Sequence, residues 1–333
     1  MSLQPSINLA GVLSESNRII AAHSRHFLAL SVLFLLPLAF LTTISTTLHS
    51  LLLLPSHSPH LQTLTLLQLP DLASPTALFP LIASLTALIL AISAVGSVSF
   101  SVFHGFFGRP VKLAIALRSL LRSFLPLLTT ALLSAAIQFV VSALALIAFI
   151  AAIKGFEFLG FGNGTVDFRS NHVLISAVVI GIGLTSVLVF LHVNWALASV
   201  VVVVERSWGL TPLNRSSKLV KGMRTVTLSI LLFFGFCIGF FAWLGAGYVE
   251  DLSELSSSWV KGFGFVARTV AITALLTMFM FNSLAANTVL YLYAKALNGE
   301  LAGEIAEEFA REYVSLPFDE GKVPHLVTVF PPV

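Results

Sequence analysis

Six stretches of this chain contain no Asp, Glu, Lys or Arg: Leu28–Leu54, Leu78–Phe103, Phe124–Ile153, Val173–Val204, Val226–Tyr248 and Thr269–Ala294. A charged side chain at the centre of a bilayer costs about 2.5–3.5 kcal/mol even on lenient scales, so charge-free apolar runs of this length predict membrane-spanning helices. About 20 residues cross the hydrocarbon. The third and fourth runs exceed that, which predicts tilt, kinks or helical extensions beyond the membrane. Pro37 predicts a kink in the first span, whereas Pro126 falls near the start of the third, where a helix tolerates it better.

The polar positions between the spans are sorted by sign. Arg18 and Arg25 precede the first span, and Arg109, Lys112, Arg118 and Arg122 follow the second. Arg206, Arg215, Lys218, Lys221 and Arg224 follow the fourth, and Lys295, Arg311 and Lys322 follow the sixth. The other three gaps hold only Lys154, Arg169, Lys261 and Arg268. Fourteen basic residues against four predict that both termini face the cytosol.

Composition agrees with a membrane protein. Apolar residues make up 57% of the 333 residues and charged residues 10%, well below the roughly 25% that a solvated surface needs. The single cysteine, Cys237, lies inside an apolar run, so it forms no intrachain disulfide and suggests no thiol metal site. The long mixed segment before the first apolar run is unlike a cleavable signal peptide and predicts a retained signal anchor.

The basic segments repeat weakly. Ile20 is followed at fixed spacing by Arg25, Leu117 by Arg122, and Leu219 by Arg224, and each copy introduces two spans. In the first copy Val12, Ile19, Ile20 and Phe27 share one helical face opposite Arg18 and Arg25; in the third, Leu219, Val220 and Met223 lie across from Arg215, Lys218, Lys221 and Arg224. The second copy is less clean, because Ile115 intrudes among its basic residues. The expectation is an all-α, six-span protein made of three parallel units, about 7–103, 110–204 and 212–294, within a membrane domain of 1–295. Each unit would begin with an amphipathic helix lying on the membrane surface, apolar face down. Residues 296–333 would form an acidic cytosolic tail.

The stretch Val200–Phe234 resembles a signature of prokaryotic six-span proteins, the YciC-like family and the membrane domain attached to some glycerophosphoryl diester phosphodiesterases. In it a Val or Leu run ends in an acid, here Glu205, and a helix follows in which Arg215, Ser216, Leu219 and Gly222 match. Over its whole length, and especially in REYVSLPFDEGKVPHLVTVF, the chain is similar to a plant family of six-span membrane proteins of unknown function. Neither resemblance implies a reaction. Some plant relatives carry a name implying attachment to polyadenylate-binding protein, but Leu301 and Glu304 stand where that peptide motif needs Ala and Phe.

Candidate chemistry is sparse. Gln138, His192, Asn194, Asn282 and Asn287 lie within spans, where they either line a solute path or serve as hydrogen-bonding glue between helices. No ionisable acid or base accompanies them, which argues against an ion-coupled carrier. Gly235 and Gly239 form a GxxxG that predicts close internal helix packing. His49, His57 and His60 read as ordinary loop histidines rather than metal ligands. Gly160 to Gly164 neither follows a strand nor opens a helix, so it is no phosphate loop, while Asn163 heads a glycosylation sequon. In the tail, Leu301, Ile305, Phe309 and Tyr313 recur every four residues among glutamates, predicting an acidic helix that docks onto the Arg215–Arg224 segment. Tyr313 and Leu316 fit a tyrosine-based sorting pattern.

No nucleophile, carboxylate pair, metal spacing or cofactor motif points to an enzyme, and nothing points to nucleic acid. The expected function is non-enzymatic: an endomembrane or plasma-membrane protein that organises lipids or partner proteins through a basic cytosolic face. Arg118, Arg122, Arg215, Lys218, Lys221 and Arg224 would contact anionic lipid, and the tail would meet a cytosolic protein. The alternatives are a facilitative transporter or channel along Gln138, Asn194 and Asn282, and a trafficking component or cargo read through Tyr313.

Overall fold

The structure, a computed structural model, describes residues 8–53, 75–109, 111–158, 171–246, 259–301 and 303. Every element among them is helical. In chain order they are α1 (Leu9–Ala22), α2 (Ser24–Leu30), a π-helical turn (Ser31–Leu35), α3 (Leu36–Leu53), α4 (Pro75–Phe106) and α5 (Leu113–Phe158). Then come α6 (Asn171–Trp195), α7 (Ala198–Glu205), α8 (Leu210–Val220), α9 (Arg224–Ala246) and α10 (Trp259–Leu297). Six of the resulting helical stretches are long and apolar enough to cross a membrane, and they coincide with the six charge-free runs. The connections α4–α5 and α7–α9, with α1 and the end of α10, gather at one end of the bundle, here called the basic end.

Local sequence explains the interruptions. Asn8 caps α1, its side chain accepting the Gly11 amide at 3.1 Å. The first span carries Pro37, which lacks an N–H and would press its ring against the Leu33 carbonyl. The π turn at Ser31–Leu35 lies immediately before it and widens the backbone where that collision would fall. Pro126 is not near a helix start, as the sequence suggested; α5 begins at Leu113 and runs through the proline without interruption. At 46 residues and about 1.5 Å per residue, α5 is about twice as long as the hydrocarbon is thick.

The fourth span breaks between Trp195 and Ala198, and the break is held from outside. Ser216 on α8, fully buried, donates to the Asn194 carbonyl at 2.7 Å and accepts the Leu197 amide at 3.2 Å. One hydroxyl thus satisfies both an acceptor and a donor that the interrupted helix leaves open, as an apolar interior requires.

The second half of α10 is the central post. Ala285, Ala286, Val289, Leu290, Tyr291 and Leu292 are buried in a core that also takes Phe27, Leu30, Val98, Val102, Val201 and Leu219. Small residues let the neighbours close in. A Cβ on Gly96 of α4 would stand 2.9 Å from Leu120 Cδ1 and 3.3 Å from Leu127 Cδ1, so α4 and α5 meet there at near backbone distance. Toward the far end, α5 and α6 expose Phe139, Leu144, Ile147, Ile175, Val179 and Ile182, an apolar surface suited to lipid.

Three expectations need correction. The helices α1 and α8 do not lie apolar face down on the bilayer. Val12 and Ile19 of α1 and Leu213, Leu219 and Val220 of α8 are buried in the protein core. An amphipathic pattern records an apolar neighbour without saying whether it is lipid or protein. The second basic segment is no separate helix at all, being continuous with its span in α5. Finally, Gly235 and Gly239 make no close internal contact: a Cβ on either would meet nothing within 4 Å.

Candidate functional site

At the basic end, side chains from α8 and α10 converge on Glu205, the last residue of α7. Arg215 of α8 donates through Nε to Glu205 Oε2 at 3.3 Å, and the Tyr291 hydroxyl of α10 donates to Oε1 at 2.9 Å. Lys295 Nζ stands 3.8 Å from Oε1 and 5.3 Å from the Tyr291 ring centre. The lysine is only 2% exposed, and the carboxylate beside it offsets part of the cost of burying an ammonium group. Arg215 also pairs with Glu300, just past α10, and that hydrogen bond is the first cause holding its pKa above the ordinary arginine value. Arg215 is therefore an internal tie rather than the lipid contact expected from its spacing. The pairing does bring the start of the tail onto α8, at Glu300.

The other predicted cations have no carboxylate partner among the described residues. Lys218, Lys221 and Arg224 are exposed. Arg224 bonds the Asn194 side-chain oxygen at 3.4 Å and lies 5.7 Å from the Phe190 ring. Arg118 and Arg122, one turn apart on α5, line a recess of about 330 Å³ with Arg206, His104, Ser119 and Ser123. Its apolar walls include Phe100 and Phe103 of α4 and Val202, Val203 and Val204 of α7. The Arg206 contribution was missed by sequence reading. It caps α7 in the left-handed region, at φ 53, the sole non-glycine with positive φ among the described residues. Such a conformation costs about 1–3 kcal/mol and persists where surroundings enforce it.

Helices α4 to α10 also border a largely apolar, half-open chamber of about 1010 Å³, whose lining includes the exposed Leu232 and Phe236. Gln138, His192 and Asn287 line it, joined by Thr130, Ser134 and Ser283. His192 donates Nδ1–H to the Leu188 carbonyl at 3.0 Å, which leaves Nε2 as its open nitrogen. The other two predicted polar residues are local glue. Asn194 is buried and donates to Phe190 O at 2.8 Å, and Asn282 donates to Met278 O at 2.9 Å. Of the path expected along Gln138, Asn194 and Asn282, the chamber takes only Gln138.

His57, His60, Asn163, Tyr313 and Leu316 lie outside the described residues, as does the side chain of His49. Among the described residues no group of three or more His, Cys, Asp or Glu is placed to hold a metal.

These features define a multi-pass, all-helical membrane protein with an ion-paired joint and a basic recess at one end and an apolar chamber in the bundle. The chain belongs to the family defined by a domain of unknown function, DUF8558, whose family model matches residues 3–316. No curated protein and no solved structure matches it.

Proposed function

We propose that the protein is a non-enzymatic membrane component that binds and organises anionic lipids of the cytosolic leaflet, built from three parallel units with both termini cytosolic. The observation that carries this reading is a set of cations at one end of the bundle, Arg118, Arg122, Lys218, Lys221 and Arg224. None of them has a carboxylate within ion-pairing distance among the described residues. Each Lys or Arg near an anionic leaflet contributes about 1 kcal/mol. The fourteen-to-four bias of Lys and Arg supports the orientation. The recurrence of a basic segment before each pair of spans supports the three units, and the likeness of Val200–Phe234 to prokaryotic six-span domains is consistent with a shared plan. The resemblance to plant proteins of unknown function fits the family.

The test reverses Lys218, Lys221 and Arg224 to Glu and compares phosphatidylserine retained on the purified protein by native mass spectrometry. Retention falls about a hundredfold or more, the equivalent of about 3 kcal/mol, if these residues hold the leaflet. Undiminished retention would remove the proposal. A glycan on Asn163, lost in Asn163→Gln, reports the orientation; its addition would require that loop to be lumenal.

A second reading, facilitated passage of a small solute, is favoured by the chamber around Gln138, His192 and Asn287. In a Cys237→Ala background, Ser134→Cys should then react with a membrane-impermeant thiol reagent. A cysteine there that stays unlabelled in folded protein means a dry chamber and no aqueous path.

A further inference from the structure

We infer that the recess formed by Arg118, Arg122 and Arg206 is a binding site for a phosphomonoester group, the headgroup of a monoester-phosphate lipid. This deepens the lipid-binding reading and rests on it.

The charge of the recess is the first argument. Arg118 and Arg122 stand at i and i+4 on α5, so their side chains share one face, and Arg206 joins them from the C-cap of α7. The lining contains no Asp or Glu. The acids that might neutralise it are engaged elsewhere: Glu15 pairs with Arg18, and Glu205 and Glu300 pair with Arg215. Glu205 is next to Arg206 in the chain, yet its carboxylate is claimed by Arg215, Tyr291 and Lys295. Three arginines therefore line one recess with no counter-charge among the described residues.

The ligand class follows from matching charge and donors. A phosphodiester offers two free oxygens and one negative charge. A phosphomonoester offers three oxygens and about −1.5 to −2 charges at neutral pH, which better balances three planar forks of donors. Ser119 and Ser123 add hydroxyl donors at one wall. His104 already gives its Nδ1–H to Phe100 O at 2.9 Å, so Nε2 is the nitrogen left for a ligand. Pro126 has no N–H, so the Arg122 carbonyl lacks its usual helical donor and can accept a glycerol or polyol hydroxyl.

The walls identify the source as lipid. Phe100, Phe103 and the run Val202 to Val204 would be poor company for a free, fully hydrated anion. They suit the glycerol and first methylenes of an acyl chain. The same three helices, α4, α5 and α7, continue from the recess to the chamber, with Ile92, Leu127, Val202 and Val203 packed between the two.

The test uses the full chain in nanodiscs with phosphatidic acid, a phosphomonoester, or phosphatidylglycerol, a phosphodiester, and also with short-chain phosphatidic acid and glycerol phosphate in solution. The wild type should prefer phosphatidic acid over phosphatidylglycerol by about tenfold or more, the worth of one charge-assisted hydrogen bond. Arg206→Gly should abolish that preference. Glycine adopts φ 53 without strain, so this variant should melt no lower than the wild type, which separates lost binding from lost folding. Arg122→Gln supplies an independent second variant. Equal affinity for glycerol phosphate and the short-chain lipid would keep the site but overturn its lipid assignment. A preference unchanged in both variants, or absent from the wild type while phosphatidylglycerol still binds, would overturn the recess alone. Loss of all anionic-lipid binding by the wild type would instead overturn the broader reading.

Discussion

Glu205 receives Arg215, Tyr291 and Lys295, and Lys295 is the side chain with most to lose if that carboxylate goes. Removing one partner of a buried pair costs about 3–5 kcal/mol, chiefly because the other charge stays behind. Glu205 retains some exposure, which places the cost of Glu205→Gln at the lower end, about 3 kcal/mol. Thermal unfolding in detergent should show a drop of several degrees, partly restored when Lys295→Met is added. A drop that Lys295→Met leaves untouched would show that the lysine does not depend on this acid. The sequence made Glu205 and Arg215 visible as members of one pattern. Their pairing was not legible, because the third and fourth participants, Tyr291 and Lys295, lie some 86 residues away in the chain and the contact is made only in the fold.

Helix positions were read well because the bilayer admits few alternatives, and all six charge-free runs fall in helices long and apolar enough to cross it. What surrounds each helix was read poorly. Leu219, Val220 and Met223 were rightly grouped on one face, but the neighbour they meet is the protein core. Gly235 and Gly239 matched a packing motif, yet the space beside them is open. Ser216 looked like one more matched letter in a motif. In the fold it closes the gap at Asn194 and Leu197, and without it both backbone groups would sit unpaired in an apolar interior. Ser216→Ala should therefore cost about 1–3 kcal/mol of stability. Its signature should be faster amide hydrogen exchange confined to Trp195–Ala198. Exchange unchanged there would show that the break is held by something else.

At the scale of the whole molecule, basic groups divide into two populations by their surroundings. Arg215 and Lys295 are paired internally, while Arg118, Arg122, Arg206, Lys218 and Lys221 are exposed and have no carboxylate partner among the described residues. Both populations contribute equally to a count of positive charge along the chain, so topology could be predicted without predicting the site. The internal ties also have an order in time. Arg215 leaves the ribosome 85 residues before Glu300, and Glu205 precedes Tyr291 by 86. At about 5–20 residues per second, translation leaves these charges waiting roughly 4–17 s for their partners. Through that interval the α7–α8 elbow waits for Tyr291, Lys295 and Glu300, the last of its ion-pairing and hydrogen-bonding partners to be made.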